Sequence, residues 1–273
     1  METLNNFISS HLTLLIILLM CFRPAYCETV DDTIFSQDLS PRESIICDTT
    51  NMQFTKFKAQ QLILPGALMA SGLIGAIDYN NNVNRSVNDA MTDLSDGHHC
   101  KVDDYLRFVP SAAHLVMGSL GIKSRHNFKE RFLISATAHA AMLVMGYGSK
   151  YVIHEQRPDL SNNRSFPSGH VAMAFTGAEL LRSEYGTAYG LAGYAVATGV
   201  AFLRLYNNRH WLNDVLMGAG IGILSARIGC WLLPFERKLL KINGKQAKTS
   251  TITAIPFYNT HDRACMVALN AVF

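Results

Sequence analysis

Three groups of residues in the second half of the chain have the types and spacing to hold a tetrahedral oxyanion. Lys150 and Arg157-Pro158 stand in KYVIHEQRP, Pro167-Ser168-Gly169-His170 follow, and Arg204, His210 and Asp214 stand in RLYNNRHWLND. Lys150 closes an uncharged stretch and Arg157 lies seven residues on. Pro158 prevents a simple helical continuation, so both cations can point into one opening. Two fixed cations call for an anion, and the guanidinium fork suits phosphate. Ser168 is a natural N-cap, which leaves the N–H groups of Gly169 and His170 facing the same opening with the positive end of the helix dipole. Gly169 lets an anion approach the backbone closely, and His170 adds a titratable ring. His210 and Asp214 are four residues apart, hence neighbours on one helical face. In such a pair the carboxylate accepts from Nδ1 and leaves Nε2 free as a nucleophile or base. Arg204 adds a third cation.

A lone His-x-x-x-Asp pair is more often structural than catalytic, and His98, His99, His114, His139 and His154 read as helix caps or solvated charges. The three groups together are far more specific than any one of them. Their order, Lys-x6-Arg-Pro, then Pro-Ser-Gly-His, then Arg-x5-His-x3-Asp, resembles the type 2 phosphatidic acid phosphatase (PAP2) superfamily, which also contains bacterial non-specific acid phosphatases and vanadium haloperoxidases. The likeness covers residues 150–222 directly, and the stretch YNNRHWLNDVLMGAG is particularly similar to bacterial lipid phosphatases. Leu203 stands where the family usually has Ser, which removes one possible phosphate hydrogen bond.

The resemblance implies that His210 attacks phosphorus to form a phosphohistidine, that Asp214 orients it, and that His170 protonates the leaving alcohol and then activates water. Lys150, Arg157, Ser168, Gly169 and Arg204 would hold the phosphate oxygens. No metal and no cofactor is implied. The implied substrate is a lipid phosphate such as lipid A, phosphatidylglycerophosphate, phosphatidate or an isoprenoid pyrophosphate. A vanadium-dependent haloperoxidase and a soluble periplasmic non-specific acid phosphatase are the alternatives; apolar helices argue against the first.

Those helices must position the three groups. Apolar runs recur at Ala59–Ile77, which carries Pro65, at Phe108–Ile122, Phe132–Ser149 and Gly186–Leu203, and at Trp211–Phe235, which Asp214 and Arg227 interrupt. Val171–Leu181, containing Glu179, reads as a weaker sixth helix. Gly and Ala are frequent in all of them, which suits close helix packing. The expected fold class is all-α: a PAP2-type helical bundle over 59–235, embedded in a membrane, followed by a basic linker and a short extended or β tail over 236–273. Residues 28–110 hold twelve acidic against six basic side chains, whereas 123–131 and 227–248 are basic. By the positive-inside rule the basic ends lie in the cytoplasm, so the three groups face the periplasm of a bacterial envelope.

Leu12–Phe22 is an eleven-residue apolar run, too short to span and suited to a secretory leader. Ala25 and Cys27 are spaced for cleavage before Glu28, although residues 1–11 lack Lys and Arg. Residues 1–27 are thus a signal peptide or anchor, and 28–58 an acidic segment. Export followed by a full span at Ala59–Ile77 gives the wrong parity. That helix is therefore expected to be interfacial or re-entrant, unless the leader is retained or the bundle is peripheral. With 49% hydrophobic and 16% charged residues, intrinsic disorder is excluded. A net charge of +3 without a long Lys/Arg run argues against nucleic-acid binding. The cysteines form no CxxC or Cys/His cluster, so zinc is not expected. Cys47 and Cys100 could pair across the acidic segment, or all could be unpaired.

Overall fold

The computed structural model describes residues 57–77, 82–241, 251–259 and 264–272. The expected leader, nearly all of the acidic segment, including Cys47, and residues 242–250 lie outside them. A 3-10 turn at Ala59–Leu62 leads into α1 (Ile63–Ile77), followed by α2 (Asn82–Ser95) and the single turn α3 (Asp103–Leu106). Next come α4 (Val109–Val116), α5 (Phe128–Val152) and α6 (Gly169–Tyr185). The bundle closes with α7 (Thr187–Tyr206) and α8 (Leu212–Leu239). Four described helices, Ala59–Ile77, α5, α7 and α8, are long and apolar enough to cross a membrane. The tail forms an antiparallel hairpin of β1 (Thr251–Asn259) and β2 (Ala264–Val272), with Thr251 opposite Val272 and Asn259 opposite Ala264.

α8 is the axis of the bundle. Gly220 faces α1, where an added Cβ would come 2.8 Å from the Pro65 carbonyl oxygen. At the start of α8, Asn213 and Met217 lie against Gly72. Toward its far end, Trp231 donates from Nε1 to Gln61 Oε1 at 3.0 Å and meets the Phe57 ring edge-on. These contacts lay α1 antiparallel along most of α8. Ala59–Ile77 thus packs lengthwise on α8, with Gly220 of α8 and Gly72 of α1 at the contact. α5 is antiparallel to α8 as well, with Ile134 against Gly229 and Arg237 Nε 2.6 Å from Glu130 Oε1. α8 runs on past Phe235 and through Pro234 to Leu239.

The helix that sequence ranks weakest is the most enclosed one. On α6, Val171, Ala172, Ala174, Ala178 and Leu180 are all buried. Glu179, which lowers its hydropathy, is buried too and accepts from Arg182, from Tyr194 of α7 at 2.6 Å and from Arg227 of α8 at 2.8 Å. A carboxylate that three elements share is compatible with a bundle centre, because each charge there is paired and hydrogen-bonded. His114, expected as a helix cap or a solvated charge, is fully buried on α4 beside Tyr185, whose hydroxyl donates to the His114 carbonyl. Among the described residues, Cys100 and Cys230 form no disulfide.

Candidate active site

All three groups lie at one end of the bundle, where α5, α7 and the loop before α6 meet the start of α8. His210 precedes α8 rather than lying on it, and Asp214 occupies the first helical turn. The expected i,i+4 neighbourhood is therefore made across a helix start. Asp214 Oδ2 accepts the Trp211 backbone N–H at 2.8 Å and lies 3.2 Å from His210 Nδ1. Ser165, a residue sequence reasoning did not single out, donates its hydroxyl to the same oxygen. The His210 ring is buried, and burial lowers its pKa against the pull of Asp214.

The loop Ile153–Ser168 is fastened to that pair. Ser168 N–H donates to the Asp214 carbonyl at 3.0 Å. Gly218, one turn further along α8, would place a Cβ 2.6 Å from the Ser168 carbonyl, so only glycine allows the start of α6 this close. Ser168 holds the N-cap position, yet its hydroxyl makes no cap bond; it is buried without a partner among the described residues. The Ala172 N–H is satisfied instead by the Ser168 carbonyl.

Lys150, in the last turn of α5, donates Nζ to the carbonyls of Arg164 and Pro167, both at 2.9 Å. Its charge thus sits directly against the loop carrying Ser168. Arg157 lies in a turn closed by its N–H to the Asn162 carbonyl at 3.0 Å, and its Nε is buried without a partner among the described residues. Arg204 projects from the last turn of α7, close enough with Arg157 to disfavour protonation of His210. Gly169 has nothing within 4 Å of an added Cβ, so the backbone there faces open space.

His170 brings in residues that the sequence reading did not single out. Its Nε2 is 2.8 Å from Asp104 Oδ1, and Arg107 Nη1 lies 3.0 and 3.3 Å from its two ring nitrogens. Burial, and after it the Arg204 charge, push its pKa down to about 4 against the hydrogen bond it donates to Asp104. Next to Asp104, Asp103 takes Arg204 Nη1 at 2.6 Å. Asn207 braces that segment through the Cys100 backbone at 2.8 and 2.7 Å. Asp103, Asp104 and His170 present ligand-type atoms within 4.8 Å of one another. The two arginines already occupy them, which opposes a cation there.

Residues 131–238 match the sequence profile of the PAP2 superfamily. They belong to it. This PAP2 segment contains Lys150, Arg157, Ser168, Gly169, His170, Arg204, His210 and Asp214. Asp103, Asp104 and Arg107 precede it. A lipid A 1-phosphatase from Porphyromonas gingivalis is 38% identical over 155 residues, covering 55% of this chain. The chain spans only 35% of that relative's length. Among solved structures, Aquifex aeolicus LpxE is 23% identical with a TM-score of 0.41, over 52% of this chain and 92% of that one. A transmembrane PAP2-type phosphatidylglycerolphosphate phosphatase from Bacillus subtilis is 19% identical with a TM-score of 0.47, over 66% and 99%.

Proposed function

We propose that this protein is a membrane-embedded phosphatase that hydrolyses a lipid phosphate through a phosphohistidine on His210, at a site facing the periplasm. One observation carries the reading. A carboxylate-held imidazole, a second imidazole, three cations and a buried unpartnered hydroxyl gather at one end of an apolar helix bundle. In this reading His210 Nε2 attacks phosphorus while Asp214 holds Nδ1. The bond from phosphorus to the substrate oxygen breaks, and His170 supplies the proton that the leaving alcohol takes up. A water that His170 then deprotonates attacks the phosphohistidine, returning free His210 and inorganic phosphate. Lys150, Arg157, Arg204, the Ser168 hydroxyl and the Gly169 N–H hold the three equatorial oxygens, whose charge grows in the transition state. None of these steps draws on a metal or cofactor.

The lipid substrate is supported by the apolar flanks of the helices that end at the site and by the lipid A 1-phosphatase relative. The uneven charge between the two ends supports the periplasmic orientation. The test is phosphate release by the detergent-solubilised protein from lipid A, phosphatidate, phosphatidylglycerophosphate and isoprenoid pyrophosphate. His210→Ala and His170→Ala should abolish release in folded protein, and a labelled, acid-labile phosphoryl-enzyme should form only when His210 is present. Full activity in either variant, or halide oxidation with added vanadate in place of phosphate release, overturns the reading.

A further inference from the structure

Glu155 has no part in the mechanism above, yet it reaches the centre of the site. It lies in the loop after α5, and its own carbonyl accepts the Ser165 N–H at 2.9 Å. Both of its carboxylate oxygens lie against one donor, Asn213 Nδ2, at 3.0 and 2.9 Å. Asn213 is itself fixed by Asn84 of α2, which donates to its Oδ1 at 2.7 Å and accepts its backbone N–H at 3.2 Å. On its other side the Glu155 carboxyl is within hydrogen-bond reach of the Asp214 carboxyl.

A fully buried carboxyl and a half-buried one in contact repel strongly when both are ionised, which favours a proton on one of them. Which one holds the proton follows from their partners. Asp214 Oδ2 takes Trp211 N–H, the Ser165 hydroxyl and His210, and the charges of Lys150 and Arg157 act on the same carboxylate. Among the described residues, the Glu155 carboxyl has the Asn213 amide as its one donor. Asp214 Oδ1 is buried and receives no donor among the described residues unless a neighbouring acid provides one. We infer that Glu155 is a protonated positioning residue: its carboxylic O–H donates to Asp214 Oδ1 and keeps the Asp214 carboxylate aimed at His210. Burial, and then the Asp214 charge, push the Glu155 carboxyl up to about 8. The surrounding charged and titratable groups are Lys150 of α5, Arg157 and Arg164 of the loop, Arg204 of α7, and His210 and Asp214 at the start of α8.

This inference rests on the proposed roles of Asp214 and His210, but its first test does not depend on activity. Infrared difference spectra of the full chain in D2O near pH 6.5, wild type minus Glu155→Gln, should contain the C=O band of a protonated carboxylic acid. The band should vanish as the pH is raised past 9. In phosphate release, Glu155→Gln keeps a donor toward Asp214 and should hold kcat within about threefold, whereas Glu155→Leu should lower it roughly 10- to 100-fold, as expected for partners one bond removed from a functional group. Above pH 8 the wild type should lose an activity that Glu155→Gln retains. Absence of the protonated band, or equal losses in the Gln and Leu variants, overturns the inference. A wild type that releases no phosphate overturns the functional reading instead, and leaves the infrared result to decide this one.

Discussion

Asp104 Oδ1 lies 2.8 Å from His170 Nε2 although 66 residues separate them in sequence. The second imidazole of the site is therefore held by a segment outside the three motifs. That carboxylate keeps the His170 pKa from falling further under burial and the Arg204 charge. Replacing it by Asn should lower the protonated fraction of His170 and reduce kcat/KM at neutral pH by about tenfold, the effect of roughly one pKa unit. Unchanged kcat/KM at pH 7 in Asp104→Asn would separate this contact from the chemistry.

The same pKa values set the direction of the pH profile. His170 must be protonated to give up a proton, and with a pKa near 4 its charged fraction falls tenfold per pH unit above that value. His210 must be neutral to attack, and its lowered pKa keeps it so into the acidic range. The free enzyme is thus expected to show a kcat/KM maximum on the acid side of neutrality with decline on both flanks. Steady-state assays from pH 4 to 9 decide this; a flat profile contradicts the scheme of two imidazoles.

Asp103 and Arg204 form a buried ion pair at 2.6 Å that ties the start of α3 to the end of α7. Asp103→Ala leaves a buried guanidinium without its partner and is expected to cost about 3–5 kcal/mol. The loss should be visible as a lowered midpoint of thermal unfolding in detergent. A midpoint equal to wild type would mean that Arg204 finds another acceptor.

Gly218 and Gly169 should respond in opposite ways to an added methyl group. At Gly218 it meets the Ser168 carbonyl at 2.6 Å, so Gly218→Ala should destabilise by about 1–3 kcal/mol and shift the start of α6, lowering kcat. Gly169→Ala meets nothing within 4 Å and should leave stability intact while raising KM. Matched unfolding and kinetic measurements on the two variants test the contrast.

Prolonged dialysis against a chelator should leave the phosphatase rate unchanged. Arg204 and Arg107 already fill the neighbourhood of Asp103, Asp104 and His170. A rate that falls and returns with a divalent cation would instead assign those three residues to a metal.

The eight motif residues were legible because cations and imidazoles at the ends of apolar runs have few structural explanations, and their spacing survives as sequence. Asp103, Asp104 and Arg107 were not, since VDDYLRF reads as an ordinary charged turn and only tertiary packing brings it to His170. Glu155 hid between Lys150 and Arg157 for a similar reason: a carboxylate beside two cations reads as a surface charge. The core position of α6 was masked by Glu179, whose cost to hydropathy is offset by arginines on its own and another helix. The lengthwise packing of α1 depends on Gly220 of α8 and Gly72 of α1, a property of two surfaces at once.

Lys150 directs two of its three protons at the carbonyls of Arg164 and Pro167. It is therefore a clasp as well as a counter-ion, and the shape of the loop cannot be separated from the charge that the loop surrounds. An ammonium has the tetrahedral reach to close this clasp and still offer one proton outward. A planar guanidinium at the same position would preserve electrostatics while forfeiting architecture.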